Sequence, residues 1–369
     1  MKTPWIEQIP SEPWTPAGSS QADSCQALFA GQVDVLPYNN WSDLKWGFNG
    51  SALMDEALDR QKLFIESQHN FDLAKQVEPS ANRSLSLRLI CLPEQGLQVG
   101  LLGRVCGATP QQAEKDALIY WRELSSVVPY DYRLTPASNR ADFRRLAGCD
   151  LLEGYCGEPA LAEIKRAEAF LPTSRGFQIL PGFWQSGAHA NEQVWRALAA
   201  MPNICLLDII IQPALLYENE QQILWEIKHE ITNGGKDKII FPPLAAYGSW
   251  GEACINRRLA PWKKYFYMQV QLVMAGGYDE SLLRSIATAI TRESADIPQP
   301  GYQVLRPAST DEALTWCQQL TRLQFRQPQK RIELLADLEE TWAVFRLPHQ
   351  VPPVGLPGVN FISHIEEQN

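Results

Sequence analysis

SLSLRLICLPEQGLQVGLLGRVCGATPQQAEKDALIYWREL, residues 84–124, holds two β-rich runs parted by Pro93-Glu94-Gln95 and then a run with a different period. The Pro and Gly between the first two runs are hairpin punctuation. Thr109 is placed to cap the free amides of a helical first turn, Pro110 suits the first helical position, and Gln112 has the capping-box spacing. Ala113, Ala117, Tyr120, Trp121 and Leu124 then recur at helical intervals, which makes one apolar stripe to lay on a sheet. The unit reads as strand, strand, helix.

The same order returns further along. YFYMQVQLVMAGG (265–277) is a β-run, and DESLLRSIATAI (279–290) follows as a helix with Leu282, Leu283, Ile286 and Ile290 on one face. NICLLDIIIQPALL (203–216) reads as a buried strand and EQQILWEIKHEIT (220–232) as a helix ending at Asn233-Gly234-Gly235. EPALAEIKRAEAFL (158–171) and NEQVWRALAAM (191–201) read as further helices. Ser309 and Glu312 repeat the capping-box spacing ahead of ALTWCQQLTRL, and IELLADLEETWAVF supplies a last helix or helix plus strand. The expected fold is α+β, with pseudo-duplicated strand-strand-helix units forming sheets covered by helices. Four segments follow: 1–80, an irregular aromatic arm carrying Trp5, Trp14, Trp41 and Trp46 and one helix at SALMDEALDRQKLFIES; 81–200, the first α+β unit; 201–344, the second; and 345–369, an extended Pro/Gly-rich strap.

Composition bounds the function classes. In 369 residues, 42 acidic against 33 basic side chains leave a net charge of −9, which opposes broad attraction to phosphate or anionic lipid. The start lacks the apolar core of a secretory signal. Ile204–Leu216, the strongest apolar run, falls short of the ~20 residues that a bilayer span needs. The eight cysteines are scattered without a C-x-x-C pair and read as reduced, mostly buried thiols. A cytoplasmic chain without a membrane span is expected.

Chemistry-bearing motifs are sparse. A phosphate-cradling G-x-x-x-x-G-K-[ST] loop does not occur; GLLGRV lacks lysine, and in NGGKDK an aspartate follows Lys236. Dinucleotide and G-x-S-x-G fingerprints are missing too. The histidines, His69, His189, His229, His349 and His364, have no metal-ligand spacing, and Glu226 with His229 makes a single E-x-x-H. Glu339-Glu340, Glu218/Glu220 and Glu366-Glu367 read as solvated like charges without the buried setting a general acid needs. No catalytic, cofactor or metal residue is assigned, and the chain is expected not to be an enzyme. Arg257-Arg258 and Lys263-Lys264 bracket LAPW, and Arg322, Arg326, Lys330 and Arg331 form a second basic group, with Trp262, Tyr265 and Tyr267 as stacking candidates. The alternation in YFYMQVQLV is also what ordinary packing requires, so solvated loops outweigh a nucleic-acid surface.

EETWAVFRLPHQVPPVGLPGV, residues 339–359, resembles the junction in conjugation-type and phage-type ATPases of the HerA/FtsK superfamily. There an acidic helix, a phrase like FRLP and a turn like GLPG lead into the motor domain. Residues 87–134, NICLLDIIIQPALLYENE and YFYMQVQLVMAGGYDESLLRSIATAI resemble the units that precede it, so the likeness covers about residues 84–360. In that family the ATP-binding domain begins near the point where this sequence ends, and the Walker motifs have no position here. The resemblance thus implies a free-standing counterpart of the pre-motor region, without ATPase activity. The expectation is a non-catalytic assembly or adaptor subunit docking onto a separately encoded ATPase, another protein, or copies of itself. Candidate partner-binding residues are Trp5 and Trp14 in the arm and Phe345, Leu347, Pro348, Leu356 and Pro357 in the strap. The alternative is a nucleic-acid-binding accessory of a DNA-processing system that uses Arg257, Arg258, Lys263 and Lys264.

Overall fold

A computed structural model describes residues 2–9, 25–36, 50–69, 83–93, 95–154, 159–173, 176–187, 190–232, 247–291 and 301–349. In chain order the elements begin β1 (Glu7–Ile9), β2 (Cys25–Val35), α1 (Gly50–Ser67), β3 (Arg83–Leu92), β4 (Gly96–Gly107), α2 (Pro110–Val127), β5 (Tyr132–Pro136), α3 (Arg140–Ala147) and α4 (Cys149–Leu152). The second half continues with β6 (Ala160–Arg166), β7 (Glu168–Thr173), β8 (Gly176–Pro181), α5 (Ala190–Ala199), β9 (Cys205–Ala214), α6 (Glu218–Thr232) and α7 (Tyr247–Leu259). It closes with β10 (Tyr265–Met274), α8 (Glu280–Ile290), β11 (Tyr302–Leu305), α9 (Thr310–Thr321), β12 (Leu335–Asp337) and α10 (Leu338–Val344).

The quoted hairpin and helix form as read. β3 and β4 pair antiparallel from Arg83↔Val105 to Leu92↔Gly96. Thr109 accepts a hydrogen bond from the Gln112 amide, and Ala113, Ala117, Tyr120, Trp121 and Leu124 are the buried stripe of α2. Gly103 sits under the ring of Phe29 on the neighbouring strand, where a Cβ would come within 2.1 Å of the ring.

The main sheet runs β1-β2-β4-β3-β9-β10-β6-β11, with β5 also on β2 and β12 also on β10. Each half is built on a β-α-β-β-α-β unit with antiparallel strand order 4-1-3-2, β5-β2-β4-β3 in the first and β11-β6-β10-β9 in the second, where the β7-β8 hairpin is inserted after β6 and α6 and α7 after β9. This is the split βαβ, or ferredoxin-like, arrangement. The two units join through β3 and β9, from Leu85↔Ile211 to Cys91↔Cys205. The registers put Thr135, Gln32, Gly100, Arg88, Asp208, Gln271, Glu163 and Leu305 in one row across the sheet, with Arg88 and Asp208 at its centre. The mixed α+β class and the pseudo-duplication hold.

Two expectations are corrected. The described residues of 1–80 are more than an irregular arm around one helix. CQALFAGQVDV forms β2, an 11-residue strand central to the first unit, and α1 is that unit's first helix. From Ala160 on, the segment EPALAEIKRAEAFL forms two strands and not a helix: β6 lies between β10 and β11 with all seven residues buried, and β7 follows it. Ala, Glu and Lys favour helix intrinsically, but two flanking strands satisfy the backbone and override that preference.

Both faces of the sheet are covered. On one, α1, α2, α5, α8 and α10 pack over an apolar layer that includes Phe29, Leu87, Trp121, Trp195, Ile209 and Phe266. On the other, a layer holding Ser86, Arg88, Arg104, Glu163, Asp208, Gln212, Gln269 and Gln271 lies buried beneath α3, α4, α9 and the segment from Leu323 onward. Arg88 donates from Nε to Asp208 at 2.7 Å. Its other two nitrogens donate to the Ala147 and Leu320 carbonyls, in the last turns of α3 and α9. One guanidinium at the junction thus satisfies the C-terminal carbonyls of the corresponding helices of both units.

Candidate functional site

The chemistry-bearing groups converge where β12 and α10 close the second half. Asp337 caps α10 in a reciprocal capping box: it accepts from the Glu340 amide at 2.9 Å, and Glu340 accepts from the Asp337 amide at 3.0 Å. Asp337 also takes a bidentate pair from Arg257 at 2.7 and 2.8 Å and the Lys263 ammonium at 3.0 Å. Burial pushes its carboxyl up, but the Arg257 hydrogen bonds and charge, with the Lys263 charge, outweigh it and hold the group well below the usual carboxylate range.

Glu340 is wholly buried and bridges two buried arginines, Arg166 at 2.6 Å and Arg258 at 3.1 Å. It also accepts from the Trp184 amide at 3.1 Å. Burial again opposes ionisation, and the Arg258 and Arg166 charges overcome it, so the carboxyl stays below its ordinary value. Arg166 completes its bonding with the Glu333 and Leu335 carbonyls, and Arg258 with those of Pro181 and Gly182. Beside them Lys165 lies between Glu333 at 2.7 Å and Glu168 at 2.8 Å. Such a set is costly to desolvate and is held only because each charge meets an opposite one.

Beyond α10 the chain stays in the core. Phe345 and Leu347 are each 1% exposed, and Pro348 is buried. The Gln61 carboxamide brackets the Leu347 backbone, donating to its carbonyl and accepting from its amide, both at 3.1 Å. Trp342 donates from its indole to the Leu58 carbonyl at 3.0 Å. Residues 331–349 are therefore a clasp: β12 is bonded to β10 of the second unit, and α10 with its exit lies on α1 of the first. Phe345, Leu347 and Pro348 serve this interior packing, so in this conformation they are not a surface for a partner. Trp14, Leu356 and Pro357 lie outside the described residues. Trp5 is 39% exposed; its amide donates to the Ala137 carbonyl at 2.7 Å and its indole to Glu7 at 3.0 Å.

The basic residues of the 257–264 stretch are each drawn to a carboxylate of this chain: Arg257 and Lys263 to Asp337, Arg258 to Glu340, and Lys264 to Glu66 at 2.8 Å. Tyr265 and Tyr267, the stacking candidates, are buried in β10. Trp262 differs from both. It is 81% exposed and adopts a left-handed φ of 61°, a conformation that costs a non-glycine residue about 1–3 kcal/mol and persists only where its surroundings impose it. Here they do. Lys263 is fixed on Asp337, Lys264 on Glu66 of α1, and the Lys264 carbonyl accepts from the Leu338 amide at 3.0 Å.

In the sequence Glu339-Glu340 reads as a solvated pair and Trp262 only as a stacking candidate. The D-x-x-E spacing of Asp337 and Glu340 was the available signal for the buried acid. No protein-family model matches the chain, and comparison with curated proteins finds no match either.

Proposed function

We propose that this chain is a non-catalytic assembly or adaptor subunit that docks on a protein partner through the Trp262 turn, the partner being a separately encoded motor ATPase. The observation that carries the reading is Trp262: a large aromatic side chain, 81% exposed, in a turn whose next two residues, Lys263 and Lys264, are held by ion pairs to Asp337 and Glu66. Preorganised aromatic anchors lose little conformational entropy on docking and dominate interface energetics. The charges around the turn are already matched within the chain, so a partner covering them strands none. Leu63, 63% exposed on α1, lies three residues before the Glu66 that Lys264 holds, so the helix face tied to the turn carries an exposed apolar side chain of its own. The clasp supports the same reading, because it fixes α1 and the turn relative to each other.

The test is co-purification of tagged full-length chain from its native host, in parallel with Trp262→Ala. Recovery of a nucleotide-hydrolysing partner in stoichiometric amount, reduced at least tenfold by the substitution, is expected. A chain that stays a lone monomer, or recovers the same partner whether or not Trp262 is present, overturns the proposal.

A further inference from the structure

The pairing of β3 with β9 ends at Cys91, which stands directly opposite Cys205, so the last rung of the junction between the two units is a pair of cysteines. Residues opposite each other in an antiparallel ladder point to the same face, with Cα atoms roughly 4.5–5.5 Å apart, inside the roughly 4.4–6.8 Å that a disulfide spans. Both side chains are buried in the apolar layer as free thiols, and the thiols hydrogen-bond each other. The other described cysteines do not face one another in this way. Cys25 and Cys106 fall one position out of register, Cys25 opposite Gly107 and Cys106 opposite Gln26, which sends their side chains to opposite faces. Cys149, Cys254 and Cys317 belong to three separate apolar clusters.

The pair also lies close to the surface along the chain. Both strands reach exposed residues within two positions of it, at Pro93 and Asn203, and Cys91 Sγ is 3.7 Å from the Met201 carbonyl beyond α5. Ladder ends open locally at low cost, which admits a small neutral oxidant while the body stays folded. The hydrogen bond between the thiols favours the Cys91 thiolate and, together with burial, pushes the Cys205 thiol up. Cys91 is therefore the nucleophile of the two.

We propose that Cys91 and Cys205 form an oxidative staple, in which hydrogen peroxide turns the facing thiols into a disulfide that locks the seam between the units. The Cys91 thiolate attacks one peroxide oxygen, an S–O bond forming as the O–O bond breaks and hydroxide leaves. The Cys205 sulfur then attacks the Cys91 sulfur, the S–S bond forming as the S–O bond breaks, and the Cys205 proton leaves with that oxygen as water. The two sulfurs together give up two electrons and the peroxide takes them. β12 of the clasp pairs with β10 at Tyr265, whereas Cys205 pairs with Met274 at the other end of that strand. The disulfide thus secures the end of the seam opposite the clasp, and it requires no partner at Trp262.

The experiment exposes the reduced full chain to a small molar excess of hydrogen peroxide under native conditions, blocks the remaining thiols with N-ethylmaleimide and maps the unreduced digest by mass spectrometry. A peptide joining Cys91 to Cys205 is expected, at least tenfold more abundant than any other cysteine pairing and absent after dithiothreitol. The circular dichroism spectrum should be unchanged and the urea midpoint higher, since the link constrains the unfolded chain. In Cys205→Ala the Cys91 sulfenic acid has nothing to condense with, so dimedone should label it at least tenfold more than in the unmodified chain. Peroxide that leaves both residues as thiols, or joins either to another cysteine, overturns the proposal, and so does dimedone labelling of Cys91 that is indifferent to Cys205→Ala. A mapped link with an unchanged or lower urea midpoint overturns the stapling role. The map of the unmodified chain decides the pairing even if the variant fails to fold.

Discussion

At the scale of single residues, buried polar side chains on the second face of the sheet specify how the helices above it sit. Arg88 is the clearest case, with Asp208 and two helix-end carbonyls on one side chain. Arg88→Met removes the partner of a carboxylate that is itself buried, and unpaired buried charges are expensive, so a loss of about 3–5 kcal/mol is expected from urea denaturation. Arg88→Met with Asp208→Leu should recover part of that loss, because two apolar side chains leave no stranded charge. A double variant as unstable as the single one would locate the cost in the helix-end carbonyls instead. Gly103→Ala has a different cause, the contact with the Phe29 ring, and its destabilisation should be relieved by Phe29→Leu.

At the scale of elements, the clasp is where sequence and structure part most. The hairpin, α2, α8 and α9 were legible because each carries its own signal: Pro-Gly punctuation, a cap, and one apolar stripe. β6 was not legible, since its Ala, Glu and Lys speak for helix and only the flanking strands decide otherwise. Phe345 and Leu347 read as exposed anchors because apolar residues near prolines look alike whether they face a partner or their own core. Glu340 looked solvated because its arginines lie 174 and 82 positions away. The clasp also sets an acid limit. Asp337 and Glu340 ionise more readily folded than unfolded, so their stabilisation is complete above the unfolded carboxylate values of roughly 4. It drains away as pH falls through those values toward the lower folded ones. Urea midpoints should hold between pH 7 and 5 and drop below about 4, and Asp337→Asn should lessen that acid dependence. An equal drop in the variant would place the acid sensitivity elsewhere.

At the scale of the whole molecule, the two units share one continuous sheet and are clasped a second time by residues 331–349, so they should unfold together. Far-ultraviolet circular dichroism and tryptophan fluorescence are expected to give coincident urea transitions. Glu340→Ala, which leaves Arg166 and Arg258 facing each other without their shared carboxylate, should cost about 3–5 kcal/mol; separate transitions already present in the unmodified chain would show that the seam does not couple the halves. The clasp also bears on synthesis. A ribosome delivers β2 through α3 early, and that unit has its strands and covering helices to hand once Ala147 has emerged. The second unit waits: Arg166 is made well before Asp337 and Glu340, and until the final carboxylates leave the exit tunnel the nascent chain carries naked positive charge at what will become its interior. Slow translation through residues 167–340 would prolong that vulnerable interval, when chaperones or proteases have the most to grasp.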